Sequence, residues 1–144
     1  MKYKVVFFTR TNNCKRVAEK ISDKLACEAI LITDNMNWKG ILGFIKAGYY
    51  SSTNKNVDIK VLGNLDVVDE YIVVTPLWAG GIAPATRTFL KTTPIDKVHL
   101  VVTSNGNHVN NRSGYKSVSD ITKNNNNEEL IINDLVNSLL NIKH

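Results

Sequence analysis

Strand-like apolar segments alternate with stretches of helical periodicity along this chain, and this alternation limits the fold more than any other feature. Strands that alternate with helices predict an α/β fold, with a parallel sheet covered by helices on both faces. Strands are predicted at Lys2–Thr9, Cys27–Ile32, Tyr71–Thr75, Lys97–Thr103 and Tyr115–Ile121. Helices are predicted at Asn13–Leu25, Ile41–Ser51 and Pro84–Thr92, and a last helix begins near Glu128. No repeat or linker divides the 144 residues, so a single domain spanning 1–144 is expected.

The composition, with 43% hydrophobic and 22% charged residues, is that of an ordinary globular domain. No segment approaches the roughly 20 apolar residues of a membrane span, and the first residues predict a strand rather than a signal peptide, so no membrane contact is expected. Cys14 and Cys27 lack metal-ligand spacing, which predicts no metal site and fits a reducing cytoplasm. The net charge of +5 comes from dispersed lysines and arginines, a pattern that favours acidic partners over nucleic acid.

The turn Thr9–Lys15 follows the first predicted strand and opens the first predicted helix. The free N–H groups and the positive dipole end of that helix point at the turn, which favours a bound anion. None of its residues is acidic, and its side-chain donors are Thr9, Arg10, Thr11, Asn13 and Lys15. We therefore predict a phosphate site, the alternative being an ordinary helix start capped by Thr11 or Asn13. Neither a nucleoside-triphosphate loop nor a dinucleotide fingerprint follows any predicted strand.

Two further loops are expected beside this turn, because ligands of open parallel sheets bind at the carboxyl ends of the strands. These loops are Thr75–Pro84 and Thr103–His108, and both are rich in hydroxyl, amide or glycine residues. Trp78 in the first of them suits stacking on a flat aromatic ring, worth roughly 0.5–1.5 kcal/mol beyond area burial. Gly80 and Gly81 can change peptide orientation at little cost, which suits a ligand that gains and loses a proton on reduction.

Three segments resemble the flavodoxin family. The pattern Thr9-x-Thr11-x-Asn13-(x)4-Ala18 is similar to its FMN phosphate loop, and Thr75-Pro76-Leu77-Trp78-Ala79-Gly80 is similar to its second loop. Gly43–Tyr49 resembles a segment of a short-chain branch of that family. The resemblance implies a flavodoxin-like three-layer α/β/α fold with a five-stranded parallel sheet of order 2-1-3-4-5. It also implies FMN as the cofactor.

The resemblance assigns the FMN-binding residues by position. Those expected to hold the phosphate are Thr9, Arg10, Thr11, Asn12, Asn13 and Cys14. Those expected to cover the isoalloxazine ring are Pro76, Leu77, Trp78, Ala79 and Gly80. Those expected to close its other side are Thr103, Ser104, Asn105, Gly106 and Asn107. No catalytic residue is assigned, because the chemistry of such proteins belongs to the flavin.

The phosphate loop departs from the family pattern at two positions. Asn12 replaces a glycine, and asparagine is among the residues that best tolerate a left-handed backbone. Cys14 replaces a threonine, and losing a hydroxyl contact to phosphate costs roughly 1–3 kcal/mol. That loss corresponds to FMN binding weakened about tenfold to hundredfold. Cys14 also lies at a helix start near Arg10 and Lys15, a setting that can lower a thiol pKa and make the thiol reactive.

The crossover helix between the fourth and fifth strands of the resembled fold is missing. Only Asn107–Gly114 separates Gly106 from the last predicted strand, which is too short for a normal helix. An apolar patch on one sheet face is therefore expected, covered by a partner subunit in a homodimer or by rearranged chain.

Three functions remain open. The first is an FMN-binding redox protein that carries electrons to or from a redox partner protein, which the basic charge predicts to be acidic. The second is an FMN-dependent NAD(P)H:quinone-type reductase, and the third is a degenerate domain that has lost FMN. A phosphorelay receiver is excluded, because Thr9 and Thr75 stand where its aspartates would be. His99, inside a predicted strand, is interpreted as a structural histidine.

Overall fold

The computed structural model describes residues 1–9, 12–34, 59–65, 67–78 and 81–141. Within these ranges the strands are β1 Tyr3–Phe7, β2 Ala29–Asp34, β3 Ile59–Leu62, β4 Glu70–Trp78, β5 Gly81–Ile82, β6 Val98–Ser104 and β7 Ser117–Thr122. The α-helices are α1 Asn13–Leu25, α2 Pro84–Lys91 and α3 Glu128–Asn141. Short 3₁₀ turns lie at Ile95–Lys97 and Lys123–Asn125. The predicted helix Ile41–Ser51 and the family-like segment Gly43–Tyr49 lie outside the described residues.

Five of these strands form the predicted parallel sheet, in the order β2-β1-β4-β6-β7. This is the predicted order 2-1-3-4-5, and it is confirmed. The described chain adds two antiparallel strands that the sequence analysis did not assign. β3 pairs with the edge strand β2, and β5 folds back on the end of β4. Both are short, with four and two residues, so neither gives a periodic signal of its own.

The helices pack on opposite faces of the sheet as the α/β pattern requires. α1 turns its apolar stripe, which includes Val17, Ile21 and Leu25, toward the same face of the sheet as α3. α2 covers the other face, where Phe89 and Leu90 pack among strand residues. Among the described residues, none of the helices has the length and apolarity that crossing a membrane requires.

Residues 105–116, all of them described, connect β6 to β7 without a helix, as predicted. Instead the connection itself packs on the sheet face, where Val109 is buried. The Val109 N–H donates to a carboxylate oxygen of Asp120 at 3.2 Å, and Arg112 Nη1 donates to the other oxygen at 2.6 Å. Rearranged chain therefore covers part of this face, one of the two predicted solutions. The homodimer stays a prediction.

The amino-terminal end of the sheet holds a buried polar cluster. His99 Nε2 lies 2.7 Å from Glu70 Oε1, and His99 Nδ1 lies 2.8 Å from the hydroxyl of Ser117. Burial raises the pKa of the Glu70 carboxyl, but the hydrogen bonds from His99 and Lys116 outweigh it, so the net pKa lies below the usual value. His99, the second residue of β6, therefore joins the first residues of β4 and β7, as expected of a structural histidine.

Candidate functional site

The carboxyl ends of β1, β4, β6 and β7 surround a cleft of about 560 Å³, hereafter the cleft. This volume lies within the range of about 300–1,000 Å³ typical of small-molecule sites. The predicted site residues that line it are Thr9, Asn13, Cys14, Pro76, Leu77, Trp78, Thr103, Ser104 and Asn105. All three predicted loops therefore meet at one edge of the sheet. The predicted site residues Arg10, Thr11, Ala79 and Gly80 lie outside the described residues.

The amino-terminal end of α1 forms one wall of the cleft. Asn12 precedes the helix with φ 68° and ψ 2°, the left-handed conformation that the glycine-to-asparagine replacement was expected to tolerate. The Asn12 side chain makes no capping hydrogen bond to the helix. Asn13 is already helical, so the alternative in which Asn13 caps the helix is wrong. Without a cap from the Asn12 side chain, the backbone N–H groups of the first turn of α1 are the kind of donor that an anion binds.

Thr9 supplies a buried hydroxyl at the end of β1. Its Oγ1 atom is buried and has no hydrogen-bond partner among the described residues. A buried hydroxyl without a partner costs about 1–3 kcal/mol, and such atoms are rare in folded proteins. A ligand in the cleft that accepts a hydrogen bond would remove this cost.

Cys14 is satisfied within the protein. Its Sγ atom lies 3.2 Å from Thr103 Oγ1, which joins the first turn of α1 to the end of β6. Only 1% of the residue is exposed. Burial raises the pKa of the Cys14 thiol to about 12, and the weaker opposing effects of Thr103 and Arg16 do not offset it. The reactive thiolate considered from the sequence is therefore wrong, because Cys14 is buried rather than at an open helix end.

Trp78 forms the wall at the end of β4. Its indole meets the ring of Phe8 edge-on, with centroids 5.8 Å apart and planes at 75°. This geometry is a favourable aromatic contact and fixes one edge of the indole. Trp78 and Leu77 also line a second cavity of about 710 Å³, which lies beside α2 and the β6–β7 connection.

The third loop divides between the two cavities. Thr103, Ser104 and Asn105 line the cleft, whereas Asn107 lines the second cavity. The cause is a tight turn, because Ser104 Oγ donates to the carbonyl of Asn107 at 2.7 Å and accepts from its N–H at 3.1 Å. Gly106 lies in this turn against Asn124, where an added Cβ would approach Nδ2 to 2.7 Å. Gly106 and Asn107 therefore do not line the cleft, and their part in closing the far side of the ring stays a prediction.

Sequence reasoning missed a fourth loop. The lining residues that it did not assign are Arg16, Ile121, Thr122, Lys123, Asn126, Asn127 and Glu128. All except Arg16 follow from the rule that ligand loops lie at carboxyl ends of strands, had the rule been applied to the last strand as well. Within the asparagine run at positions 124–127, residues 124–126 are exposed. Yet the Asn124 N–H donates to the Asn105 carbonyl at 2.8 Å, which ties this turn to the third loop.

The missed residues Arg16 and Glu128 form an ion pair at the rim of the cleft. Arg16 Nη2 lies 2.6 Å from Glu128 Oε1, and Arg16 Nε lies 3.2 Å from Oε2. Lys20 Nζ donates to the same carboxylate at 2.7 Å. The hydrogen bond from Arg16 is the main cause that lowers the pKa of Glu128 to about 2. Glu128 is thus ionised across the physiological pH range.

No protein-family model and no curated protein sequence matches this chain. Solved structures do. A flavoprotein from Lactobacillus acidophilus NCFM, crystallised in complex with FMN, is similar with a TM-score of 0.62 and 19% identity over 84% of this chain and 90% of its own. A protein from Bacteroides eggerthii DSM 20697 is similar with a TM-score of 0.69 and 17% identity, over 98% of this chain and 96% of its own. A protein from Bacteroides uniformis ATCC 8492 is similar with a TM-score of 0.69 and 16% identity, over 90% of this chain and 97% of its own.

The fold is flavodoxin-like. Both Bacteroides proteins are likewise described as flavoproteins. At identities of 16–19% these likenesses establish the three-layer architecture and the strand order, and the function of this chain must come from its own cleft.

Proposed function

We propose that this chain binds FMN in the cleft and acts as a flavodoxin-like redox protein that transfers electrons through the bound flavin. The observation that carries the proposal is the buried Thr9 hydroxyl, which has no partner in the described chain and lies near the start of α1, where the Asn12 side chain makes no capping hydrogen bond. The Lactobacillus flavoprotein of this fold is known in complex with FMN, which supports the choice of ligand.

The phosphate of FMN suits the α1 side of the cleft. The helix start offers backbone N–H groups and a positive dipole end, both of which favour a dianion. Thr9 adds a hydroxyl donor, and Asn13 and Arg16 line the same wall. The unpartnered Thr9 hydroxyl, the start of α1 and the Arg16 guanidinium thus lie at the same end of the cleft.

The isoalloxazine ring suits the β4 side. Trp78 presents an indole whose position is fixed by the edge contact with Phe8. Pro76 and Leu77 extend the same wall with apolar surface. When bound, FMN would supply the electron-transfer chemistry, and the protein would hold it, orient it and cover its ring.

The charge of the chain supports an acidic redox partner. The net charge is +5, and the exposed Lys123 lies at the rim of the cleft. Lys15 is exposed on the first turn of α1. A positive rim favours encounter with a negatively charged protein and makes the association rate sensitive to salt. We place this partnership in the cytoplasm, as the cysteine content suggests.

A second candidate is a domain of this fold that no longer binds FMN. It is favoured by Cys14, whose sulfur is already hydrogen-bonded to Thr103 and is buried. A thiol engaged in this way contributes little to a phosphate, so the loop has one strong donor fewer than the family pattern.

The absorbance spectrum of the purified protein, before and after incubation with FMN, separates the two candidates. A flavin spectrum that stays with the protein after gel filtration supports the proposal. Protein that remains colourless at millimolar FMN contradicts it and favours the second candidate. Electron transfer is tested next, by reduction of the bound flavin with NAD(P)H alone and with an added reductase. A carrier requires the reductase, and a quinone-type reductase does not.

Thr9→Val tests the phosphate end directly. We expect the FMN dissociation constant to rise about tenfold, because one hydroxyl contact is lost, and the riboflavin constant to stay unchanged. In the absence of flavin the same variant should be more stable by about 1 kcal/mol, because an unpaired buried hydroxyl is removed. Thr33→Val on β2, outside the cleft lining, is the matched control and should show neither effect. Unchanged FMN affinity in Thr9→Val would place the phosphate elsewhere.

A further inference from the structure

Among the described residues that line the cleft, Glu128 is the only acidic one. It is the first residue of α3, and 21% of its side chain is exposed. A carboxylate at this place repels the phosphate dianion that the proposed function brings to the cleft. The contacts of Glu128 must therefore offset this repulsion.

Glu128 contacts two cationic side chains, Arg16 and Lys20. Arg16 grips both carboxylate oxygens, at 2.6 Å and 3.2 Å, in the fork arrangement that guanidinium groups favour. Lys20 donates to Oε2 at 2.7 Å. The carboxylate would therefore keep a cationic partner if Arg16 moved away.

Arg16 stands between this carboxylate and the phosphate loop. Its Nη1 donates to Asn13 Oδ1 at 3.1 Å, so one guanidinium contacts α3 and the first residue of α1 together. Half of its side chain is exposed. An ion pair this exposed contributes little to stability, so exchanging one partner for another is inexpensive. Phosphate and carboxylate present similar paired oxygens to the same guanidinium edge.

We infer that Glu128 and the phosphate of the ligand compete for Arg16, so that Glu128 limits the affinity of the cleft for phosphate-bearing flavin. The inference rests on the proposed function. When the dianion enters, the guanidinium turns from Glu128 to phosphate, while Lys20 continues to hold the carboxylate. Glu128 is thereby a specificity-determining residue that narrows the preference for FMN over riboflavin.

Titrations of FMN and of riboflavin against Glu128→Gln measure this competition. The amide keeps the shape of the side chain but removes the charge that holds Arg16. We expect the FMN dissociation constant to fall about tenfold, with the riboflavin constant changed less than about twofold. Glu129→Gln is the matched control: Glu129 also pairs with Lys20 and loses the same charge, but it does not line the cleft. Its FMN constant should change less than about twofold.

The Arg16→Gln background separates competition from plain repulsion. Without the guanidinium, Glu128→Gln should change the FMN constant by less than about twofold. An equal gain with and without Arg16 overturns the inference, because the carboxylate would then act by charge alone. Should Glu128→Gln not fold, Glu128→Asp carries the same test. It keeps a charge at the start of α3 but draws the carboxylate back, with an expected gain of about threefold.

The outcomes also separate this inference from the proposed function. If the natural protein binds FMN more tightly than riboflavin but Glu128→Gln leaves that ratio unchanged or reduces it, the inference is wrong and the proposed function stands. If the natural protein and all variants bind neither flavin, the proposed function fails and the inference fails with it.

Discussion

The two ends of the parallel sheet differ in how far their buried polar groups are hydrogen-bonded. At the amino-terminal end, the Glu70 carboxylate meets His99 at 2.7 Å and Lys116 at 3.3 Å. The hydroxyl of Ser117 meets the other ring nitrogen of His99 at 2.8 Å. At the carboxyl end, the Thr9 hydroxyl is buried without a partner in the described chain. A buried donor left without a partner at only one end of the sheet supports the ligand site proposed there.

Glu70→Ala should have the largest effect, and on stability alone. It leaves a ring nitrogen of His99 buried without its hydrogen-bond partner, and leaving a buried polar atom unpaired in this way costs about 3 kcal/mol. Urea denaturation measures the loss, and the FMN dissociation constant of the folded protein should stay within about twofold of the natural value. Asp69→Ala is the control. Asp69 is the residue before Glu70 and accepts an exposed hydrogen bond from the Lys2 N–H, so its loss should lower the free energy of unfolding by less than about 1 kcal/mol. A tenfold loss of FMN affinity in Glu70→Ala would show that the two ends are coupled.

Trp78→Ala should act mainly on FMN affinity, whereas Glu70→Ala acts on stability. Loss of the indole removes apolar cover and stacking from the proposed ring site, about 2 kcal/mol or roughly thirtyfold in the FMN constant. Quenching of flavin fluorescence on titration with protein measures it. Trp78→Phe keeps an aromatic face and should lose only about threefold. Equal FMN constants for natural protein and Trp78→Ala would mean that the ring binds away from β4.

The smallest effect concerns the pH dependence of stability at the carboxyl end. The pKa of Glu128 is lowered in the folded protein from 4.5 to about 2, so its ion pair stabilises the fold above about pH 4.5. That contribution is lost as the pH falls from about 4.5 to about 2. Because half of the Arg16 side chain is exposed to solvent, we expect the ion pair to contribute about 0.5 kcal/mol. Chemical denaturation at pH 6, 4 and 2.5 should show a shallower decline for Glu128→Gln than for the natural protein. Identical declines would contradict the ion pair.

Local sequence signals predicted the parallel sheet and the phosphate-loop side of the cleft. The first strand and α1 are adjacent in the chain, so Thr9 and Asn13 could be placed by periodicity and by the position of the turn. The strand order came from a resemblance to a known family, and the structure confirms it. The left-handed backbone at Asn12 was likewise expected from residue type.

Contacts between distant segments could not be predicted in this way. Arg16 and Glu128 are 112 positions apart, and nothing in the spacing of either residue indicates that α1 and α3 meet at the cleft. The position of Asn107 could not be predicted either, because it depends on the Ser104 side chain, which bends the third loop toward the second cavity. The pKa of Cys14 was wrongly anticipated for a similar reason, since its burial against β6 is a tertiary property.

The connection between β6 and β7 has a structural consequence of its own. Where the resembled fold has a helix, this chain has a short connection that Asp120 holds through Val109 and Arg112, and Arg112 also donates to the carbonyls of Val109 and Val118. So short a connection makes the cover of this sheet face depend on few hydrogen bonds, and replacing Asp120 would remove two of them at once.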